Sequence, residues 1–169
     1  MTSWAIYPFL YQYFRFAWFV VIIGIIAHFA GNAIPRKFNF ESPFFAPHKW
    51  EKNGKIYQEL FKIKSWKDSL MDMSKASANA QSKDVGTDLS SSHLYDLLQE
   101  TCVAEVTHTV LVFAGLALLF LIELPWSILW TLAYILFNSL DIMIQRFNRP
   151  RLVSIYKRAL RMEKAEAKK

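Results

Sequence analysis

The chain of 169 residues has a single cysteine, Cys102, so it cannot form an internal disulfide bond, and it suits a reducing or cysteine-poor setting. It has no zinc-finger spacing and no basic–aromatic sheet pattern, which argues against nucleic acid as a partner. It has one Glu-x-x-His unit, whereas carboxylate-bridged di-metal bundles need two. We therefore expect no bound metal, and there is no internal repeat.

Basic residues are missing from two stretches. Met1–Pro8 has no charged side chain, so it lacks the basic start of a cleaved signal peptide, and the aromatic residues that follow indicate a membrane anchor. The turn at Glu123 has no basic residue, whereas ten lie in Arg36–Lys83 and nine in the tail from Arg146. The positive-inside rule then places the N-terminus outside and the C-terminus in the cytosol of a multi-pass cell-membrane protein.

Apolar and aromatic residues are in excess, at 53% and 16% of the chain, and mean hydropathy is +0.15. They are grouped in runs near the length of about 20 residues that crosses a bilayer. We predict an all-α integral membrane protein of one domain, 1–169, with spans at 9–30, 106–123 and 126–145. The net charge of +6 indicates an anionic lipid surface as a partner.

Three polar segments accompany these spans. Lys55–Leu70 mixes lysine with aromatic residues and predicts a cytosolic helix on anionic lipid, although its lysines also suit an anionic donor or acceptor. Residues 73–92 predict a flexible connection that ends in N-cap candidates, with a helix from about His93. A basic C-terminal helix is expected from Leu152.

The second and third spans are joined by a short connection at Glu123–Trp126 and predict a helical hairpin whose two feet meet. Glu105 and His108 are three residues apart and share a helical face. A carboxylate that accepts from one ring nitrogen leaves the other as a general base. The alternative is a helix-capping Glu105 and an interfacial His108. Cys102 offers a further option, an acyl thioester.

The returning helix carries polar residues on one face: Asn138, Asp141 and Gln145. A charged Asp141 within an apolar run costs about 2.5–3.5 kcal/mol on insertion scales, so it is a functional candidate. We expect it to lie within reach of His108, with Arg15 at the opposite membrane face. After Asp141, four residues offer hydrogen-bond donors that could bind sugar hydroxyls or a phosphate: Gln145, Arg146, Asn148 and Arg149. The alternative is that they only anchor the end of the helix at the cytosolic side of the membrane.

Four ordered blocks resemble one family. E-T-C-V-A-E-V-T-H at Glu100–His108 and Q-R-F-N-R-P-R-L at Gln145–Leu152 are similar to the two signatures of the glycosyl-4,4'-diaponeurosporenoate acyltransferase family. W-E-K-N-G-K-I-Y at Trp50–Tyr57 and F-K-I-K-S-W-K-D-S-L at Phe61–Leu70 also resemble it, in the same order. The resemblance covers roughly Asn39–Leu152. It implies transfer of a fatty acyl group onto a sugar hydroxyl of a membrane glycolipid, such as a glycosylated carotenoid.

The acyltransferase hypothesis assigns roles to the individual candidate residues. His108 would be the base and Glu105 its orienting group. The substrate-binding candidates are Asn138, Asp141, Gln145, Arg146, Asn148, Arg149, Lys64, Trp66, Lys67 and Asp68. No cofactor would be bound, and the co-substrate would be an acyl donor such as acyl-CoA or acyl carrier protein. A non-catalytic membrane subunit that packs its polar feet against a partner protein is the alternative, and a homo-oligomer stays open.

Overall fold

The computed structural model describes residues 6–67 and 89–168. The main helices are α1 (Ile6–Ala33), α2 (Lys55–Phe61), α3 (Ser91–Gly115), α4 (Leu118–Leu121) and α5 (Trp126–Glu166). Short 3-10 turns occupy Lys49–Gly54 and Ile63–Ser65. The chain divides into two compact units. Unit 1 takes the described residues of Met1–Ile34 and Glu105–Ile142, and unit 2 those of Pro35–Ala104 and Met143–Lys169.

Within residues 6–67 and 89–168, three helical stretches are long and apolar enough to cross a membrane, as predicted: Tyr7–Ala33, Ser91–Leu121 and Trp126–Glu166. Within helices the backbone polar groups bond to one another, which a lipid environment requires. Large apolar side chains are exposed along them, and Phe120 is 89% exposed. Lipid would solvate such side chains, whereas water would not. The predicted flexible segment lies outside the described residues at positions 73–88, and α3 begins at Ser91, close to the predicted start.

Local signals explain the ends of α1. Pro8 lies in its first turn, where a missing N–H costs nothing, and the helix ends just before the Ile34–Pro35 step. Within unit 1, Phe16 stacks on Trp130 at 4.7 Å. Arg15 lies 4.0 Å from Glu123 in the hairpin turn, so the start of α1 lies beside that turn, and Arg15 is at the end of the hairpin far from Asp141, as expected.

The basic C-terminal helix is not a separate element. The sequence predicts a span that ends near residue 145 and a new helix from Leu152, but α5 continues through Pro150. A proline inside a helix costs about 3 kcal/mol. Packing in unit 2 offsets this cost, because Leu152 joins the buried cluster of Leu94, Leu97 and Leu98.

The predicted helix Lys55–Leu70 is too long: α2 ends at Phe61, and positions 68–70 lie outside the described residues. Lys62 adopts a left-handed conformation with φ +48°. The turn buries Ile63 completely, whereas Leu60 in α2 is 68% exposed. Burial of Ile63 therefore outweighs the helical propensity of this lysine-rich segment.

We expect Gly54→Ala to destabilise the protein by about 1–3 kcal/mol, because a side chain at this position is strained. Gly54 has φ +85°, and an added Cβ would lie 3.0 Å from the carbonyl oxygen of Phe147. Thermal unfolding in detergent measures the loss. The matched control is Gly24→Ala in α1, where nothing lies within 4 Å of the added Cβ. Equal melting temperatures for the two variants would contradict the close approach at Gly54.

Candidate functional site

His108 lies on α3 in unit 1 and faces two residues of α5. Its Nδ1 is 3.0 Å from Oδ1 of Asn138, and Nδ2 of Asn138 donates to the carbonyl oxygen of Tyr134 at 2.8 Å. The second bond orients the amide, so that its oxygen faces the ring. An amide oxygen accepts only, so Nδ1 carries the proton. In the neutral ring Nε2 then holds the lone pair and can act as a base.

Asp141 lies on the same face of α5, three residues after Asn138. Its Oδ2 is 3.7 Å from Nδ1 of His108, which confirms the predicted placement of Asp141 opposite this histidine. A carboxylate at this distance stabilises the positive charge that forms when Nε2 takes a proton. The side chains of His108 and Asp141 are 27% and 38% exposed, so a substrate can reach them.

Glu105 is buried one turn before His108, with 3% exposure. Its backbone carbonyl accepts a hydrogen bond from Oγ1 of Thr109 at 2.7 Å. Its predicted role as the group that orients His108 stays a prediction, while the structure gives Nδ1 a partner in Asn138. Cys102 is completely buried in unit 2, which disfavours the thioester route because the thiol must reach an acyl donor.

Arg146 is the centre of a buried ion-pair cluster in unit 2. Its Nε and Nη2 donate to the two carboxylate oxygens of Glu51 at 2.6 and 2.8 Å. The hydroxyl of Tyr57 and the backbone N–H of His48 also donate to Glu51. Burial alone would raise the pKa of Glu51, but these donors and the charge of Arg146 lower it to about 2. Burial and the neighbouring carboxylate raise the pKa of Tyr57 well above its usual value.

Arg149 is also directed into unit 2, and it is 1% exposed. It donates to Oγ1 of Thr101 at 2.9 Å and to the carbonyl oxygens of Thr101 and Phe45. Arg146 donates to the carbonyl oxygens of Phe44 and Ala46. The two arginines predicted to bind substrate therefore hold the three consecutive carbonyls of residues 44–46. Gln145, another candidate, is buried with 5% exposure.

Three other predicted residues, Lys64, Lys67 and Asn148, line one groove of unit 2 with a volume of about 670 Å³. The rest of its lining is Asn53, Gly54, Lys55, Gln58, Glu59, Phe147 and Arg151. Trp66 donates its indole N–H to the carbonyl oxygen of Phe61 at 2.8 Å. Asp68 lies outside the described residues. Within the described residues, 6–67 and 89–168, no group of three or more His, Cys, Asp or Glu side chains could hold a metal ion.

Sequence reasoning did not single out Glu51, Tyr57, Lys55 or Arg151. The first three belong to the Trp50–Tyr57 block, which resembled the family signature, and that was the available signal. A glutamate among lysines on a loop looks solvated, and its burial against Arg146 becomes visible only when the chain is folded.

Comparisons with known proteins agree with the four blocks. A family model described as glycosyl-4,4'-diaponeurosporenoate acyltransferase matches residues 41–158. A curated protein of that name from Staphylococcus haemolyticus (strain JCSC1435) is 28% identical over 125 residues, which cover 73% of this chain and 70% of that protein. No solved structure matches. The matched range includes both His108 and the groove.

Proposed function

The chain belongs to the glycosyl-4,4'-diaponeurosporenoate acyltransferase family, and from this premise we propose that it moves a fatty acyl group onto a sugar hydroxyl of a membrane glycolipid such as a glycosylated carotenoid. One observation supports the chemistry best. The hydrogen bond from His108 to Asn138 leaves Nε2 as a base on an accessible side chain. Acyl transfer to a hydroxyl requires such a base, because a neutral hydroxyl is a weak nucleophile.

The proposed step uses a thioester donor, such as acyl-CoA or acyl carrier protein. Nε2 of His108 takes the proton of the sugar hydroxyl as its oxygen attacks the thioester carbonyl carbon. A C–O bond forms, the C–S bond breaks, and the leaving sulfur takes the proton from the imidazolium. Asp141 stabilises this imidazolium and Asn138 holds the ring. Glu105 is retained as a positioning residue, because it is buried on the same face of α3.

The helices that carry this site favour a lipid-linked acceptor. His108 and Asp141 lie on two of the helices that are long and apolar enough to cross a membrane. On the same two helices Phe113 and Phe137 are 67% and 63% exposed, as expected of side chains in contact with lipid. A glycolipid can keep its apolar part among such side chains while its sugar meets the polar pair.

Lipid mass spectrometry tests the proposal. The full chain is expressed in a host that makes a glycosylated carotenoid, and extracts with and without the protein are compared. We expect a new species that is heavier than the acceptor by the mass of one fatty acid less one water molecule. Membrane insertion of the chain without such a species would overturn the proposal and favour a non-catalytic subunit that binds a partner protein.

We expect Asp141→Asn to lower kcat about tenfold, which corresponds to about 1.4 kcal/mol of lost transition-state stabilisation. The acceptor KM should change little, because the charge acts on the imidazolium that forms during the step. Initial rates of acylation measure both constants. Asp141→Glu should restore part of the rate.

The matched control for Asp141 is Glu123→Gln, which removes a carboxylate that is 74% exposed at the hairpin turn. A loss of kcat in Glu123→Gln equal to that in Asp141→Asn would show that the effect is not specific to the imidazolium.

We propose the orientation given by the charge distribution, with the N-terminus outside and the C-terminus in the cytosol. A reporter fused after Lys169 should read cytosolic, and one at Thr2 should read external. Alkaline phosphatase and fluorescent-protein fusions report the two sides in living cells. A cytosolic Thr2 together with an external Trp50 region would overturn the orientation.

A further inference from the structure

The groove of unit 2 is lined by four basic side chains, those of Lys55, Lys64, Lys67 and Arg151. Some other cations of unit 2 are paired with carboxylates, as in the pairs of Arg36 with Glu100, Arg146 with Glu51, and Lys157 with Glu41. In the groove, Lys55, Lys64 and Arg151 form no ion pair with any carboxylate of residues 6–67 and 89–168. Its one lining carboxylate, Glu59, is engaged by Lys52 at 3.1 Å. The groove therefore presents uncompensated positive charge.

The backbone fixes the position of these cations. Gly54, in a left-handed conformation, lies against the carbonyl oxygens of Arg146 and Phe147 in α5. The next residue, Lys55, lines the groove together with Phe147. The left-handed turn at Lys62 returns the chain, and the N–H of Lys64 then donates to the side-chain oxygen of Gln58 at 3.0 Å. The backbone of the groove is therefore held by contacts within unit 2, which lowers the entropic cost of binding a ligand.

We propose that this groove binds the phosphate groups of the acyl donor and that the donor is a coenzyme A thioester. The inference rests on the proposed function. Coenzyme A carries a diphosphate and a ribose phosphate, and several anionic groups match several cations. The side-chain amides of Asn53, Gln58 and Asn148 add hydrogen-bond donors to the lining. Lysine and arginine next to amide donors are typical of phosphate sites.

Size and shape favour the free thioester over acyl carrier protein. A volume of about 670 Å³ falls within the roughly 300–1,000 Å³ of small-molecule sites. A carrier protein is recognised by a wide face of charged residues, whereas these cations converge on one concave groove. A phospholipid headgroup with one phosphate would leave most of the cations unneutralised.

Direct binding tests the inference without catalysis. The full chain is purified in nanodiscs of zwitterionic phosphatidylcholine and titrated calorimetrically with coenzyme A, dephospho-coenzyme A and pantetheine. We expect coenzyme A to bind, dephospho-coenzyme A to bind about tenfold more weakly, and pantetheine, which has no phosphate, not to bind. Equal affinity for pantetheine and coenzyme A would overturn the proposal.

Substitutions locate the site. Lys64→Gln and Arg151→Gln should each weaken coenzyme A binding about tenfold or more, since each removes a charge-assisted contact. Arg158→Gln is the matched control, because it removes the same charge from α5 but lines a different groove. It should bind coenzyme A like the unchanged protein. Equal affinities in all three variants would overturn the assignment, as would binding of holo-acyl carrier protein without binding of coenzyme A.

The two proposals fail separately. His108→Ala should bind coenzyme A normally, because the groove does not contain this histidine. Groove-dependent binding of coenzyme A without any acylated lipid would refute the acyltransferase and keep the groove. An acylated lipid whose formation is unaffected by Lys64→Gln and Arg151→Gln, with no calorimetric binding of coenzyme A, would refute the groove and keep the acyltransferase.

Discussion

Replacement of His108 by alanine should abolish formation of the acylated lipid, with a loss of about 10²–10⁴ in rate, the usual contribution of a general base. The reason is the fixed ring: Asn138 occupies Nδ1, so Nε2 is the nitrogen that can accept the sugar proton. Initial rates with the purified chain in lipid nanodiscs measure the loss. The acceptor KM should change little, because the proton moves in the transition state.

His28→Ala is the control for this loss. His28 lies on α1, also in unit 1, and forms a hydrogen bond with Asn32 at 3.3 Å. It belongs to neither proposed site, so its variant should keep the rate of the unchanged protein. A His108→Ala variant that inserts normally and acylates at an unchanged rate would remove His108 from the mechanism.

The second large effect is on stability. Arg146→Ala should lower the free energy of unfolding by about 3–5 kcal/mol, the usual result of removing one partner of a buried ion pair. The substitution leaves the carboxylate of Glu51, which is 1% exposed, buried without its cation. Thermal unfolding in detergent, followed by tryptophan fluorescence, measures the shift in melting temperature. Arg158→Ala on the exposed part of α5 should stay within about 0.5 kcal/mol.

The pH dependence of unfolding provides the check on this pair. The pKa of Glu51 is about 2 in the folded protein against an ordinary value of 4.5. Its contribution, about 3 kcal/mol, is present above pH 4.5 and is lost as the pH falls from about 4.5 to about 2. Arg146→Ala should flatten this acid-side loss. If Arg146→Ala loses as much stability between pH 4.5 and pH 2 as the unchanged protein does, this acid-induced loss must come from other carboxylates.

The membrane helices and the His108–Asp141 pair follow from the sequence because both depend on local quantities. Apolar run length predicts a span, Pro35 marks where the first one ends, and the short turn at Glu123 makes the next two antiparallel. A rise of 1.5 Å per residue then gives equal depths on the two helices. The two side chains lie 3.7 Å apart in the structure.

The orienting partner at Nδ1 of His108 could not be predicted in the same way. Depth along a hairpin does not determine how each helix is rotated about its axis. That rotation follows from side-chain packing, such as the contact between Gly115 and the ring of Tyr134. Glu105 and Asn138 were therefore equally compatible with the sequence, and the structure shows Asn138 at hydrogen-bond distance.

The roles of the arginines were the hardest to predict because they depend on a distant loop. Arg146 and Arg149 look like an exposed basic helix end in the sequence, as Arg158 does. Their burial results from the turn-rich segment after Pro43, whose carbonyls need donors that regular secondary structure would otherwise supply. No local pattern in α5 identifies which of its basic residues meet that need.

The arginine contacts to residues 44–46 recognise backbone rather than side chains, and this sets which positions can change. Phe44 is 52% exposed and contributes its carbonyl, so many residue types can take its place. Phe45 is more constrained, because its ring lies 5.1 Å from the guanidinium of Arg149. Lysine cannot replace either arginine, since a single ammonium group does not reproduce the guanidinium fork. We therefore expect that homologous chains can differ in the residues at positions 44–46 and still keep the shape of this loop, provided that both arginines are retained.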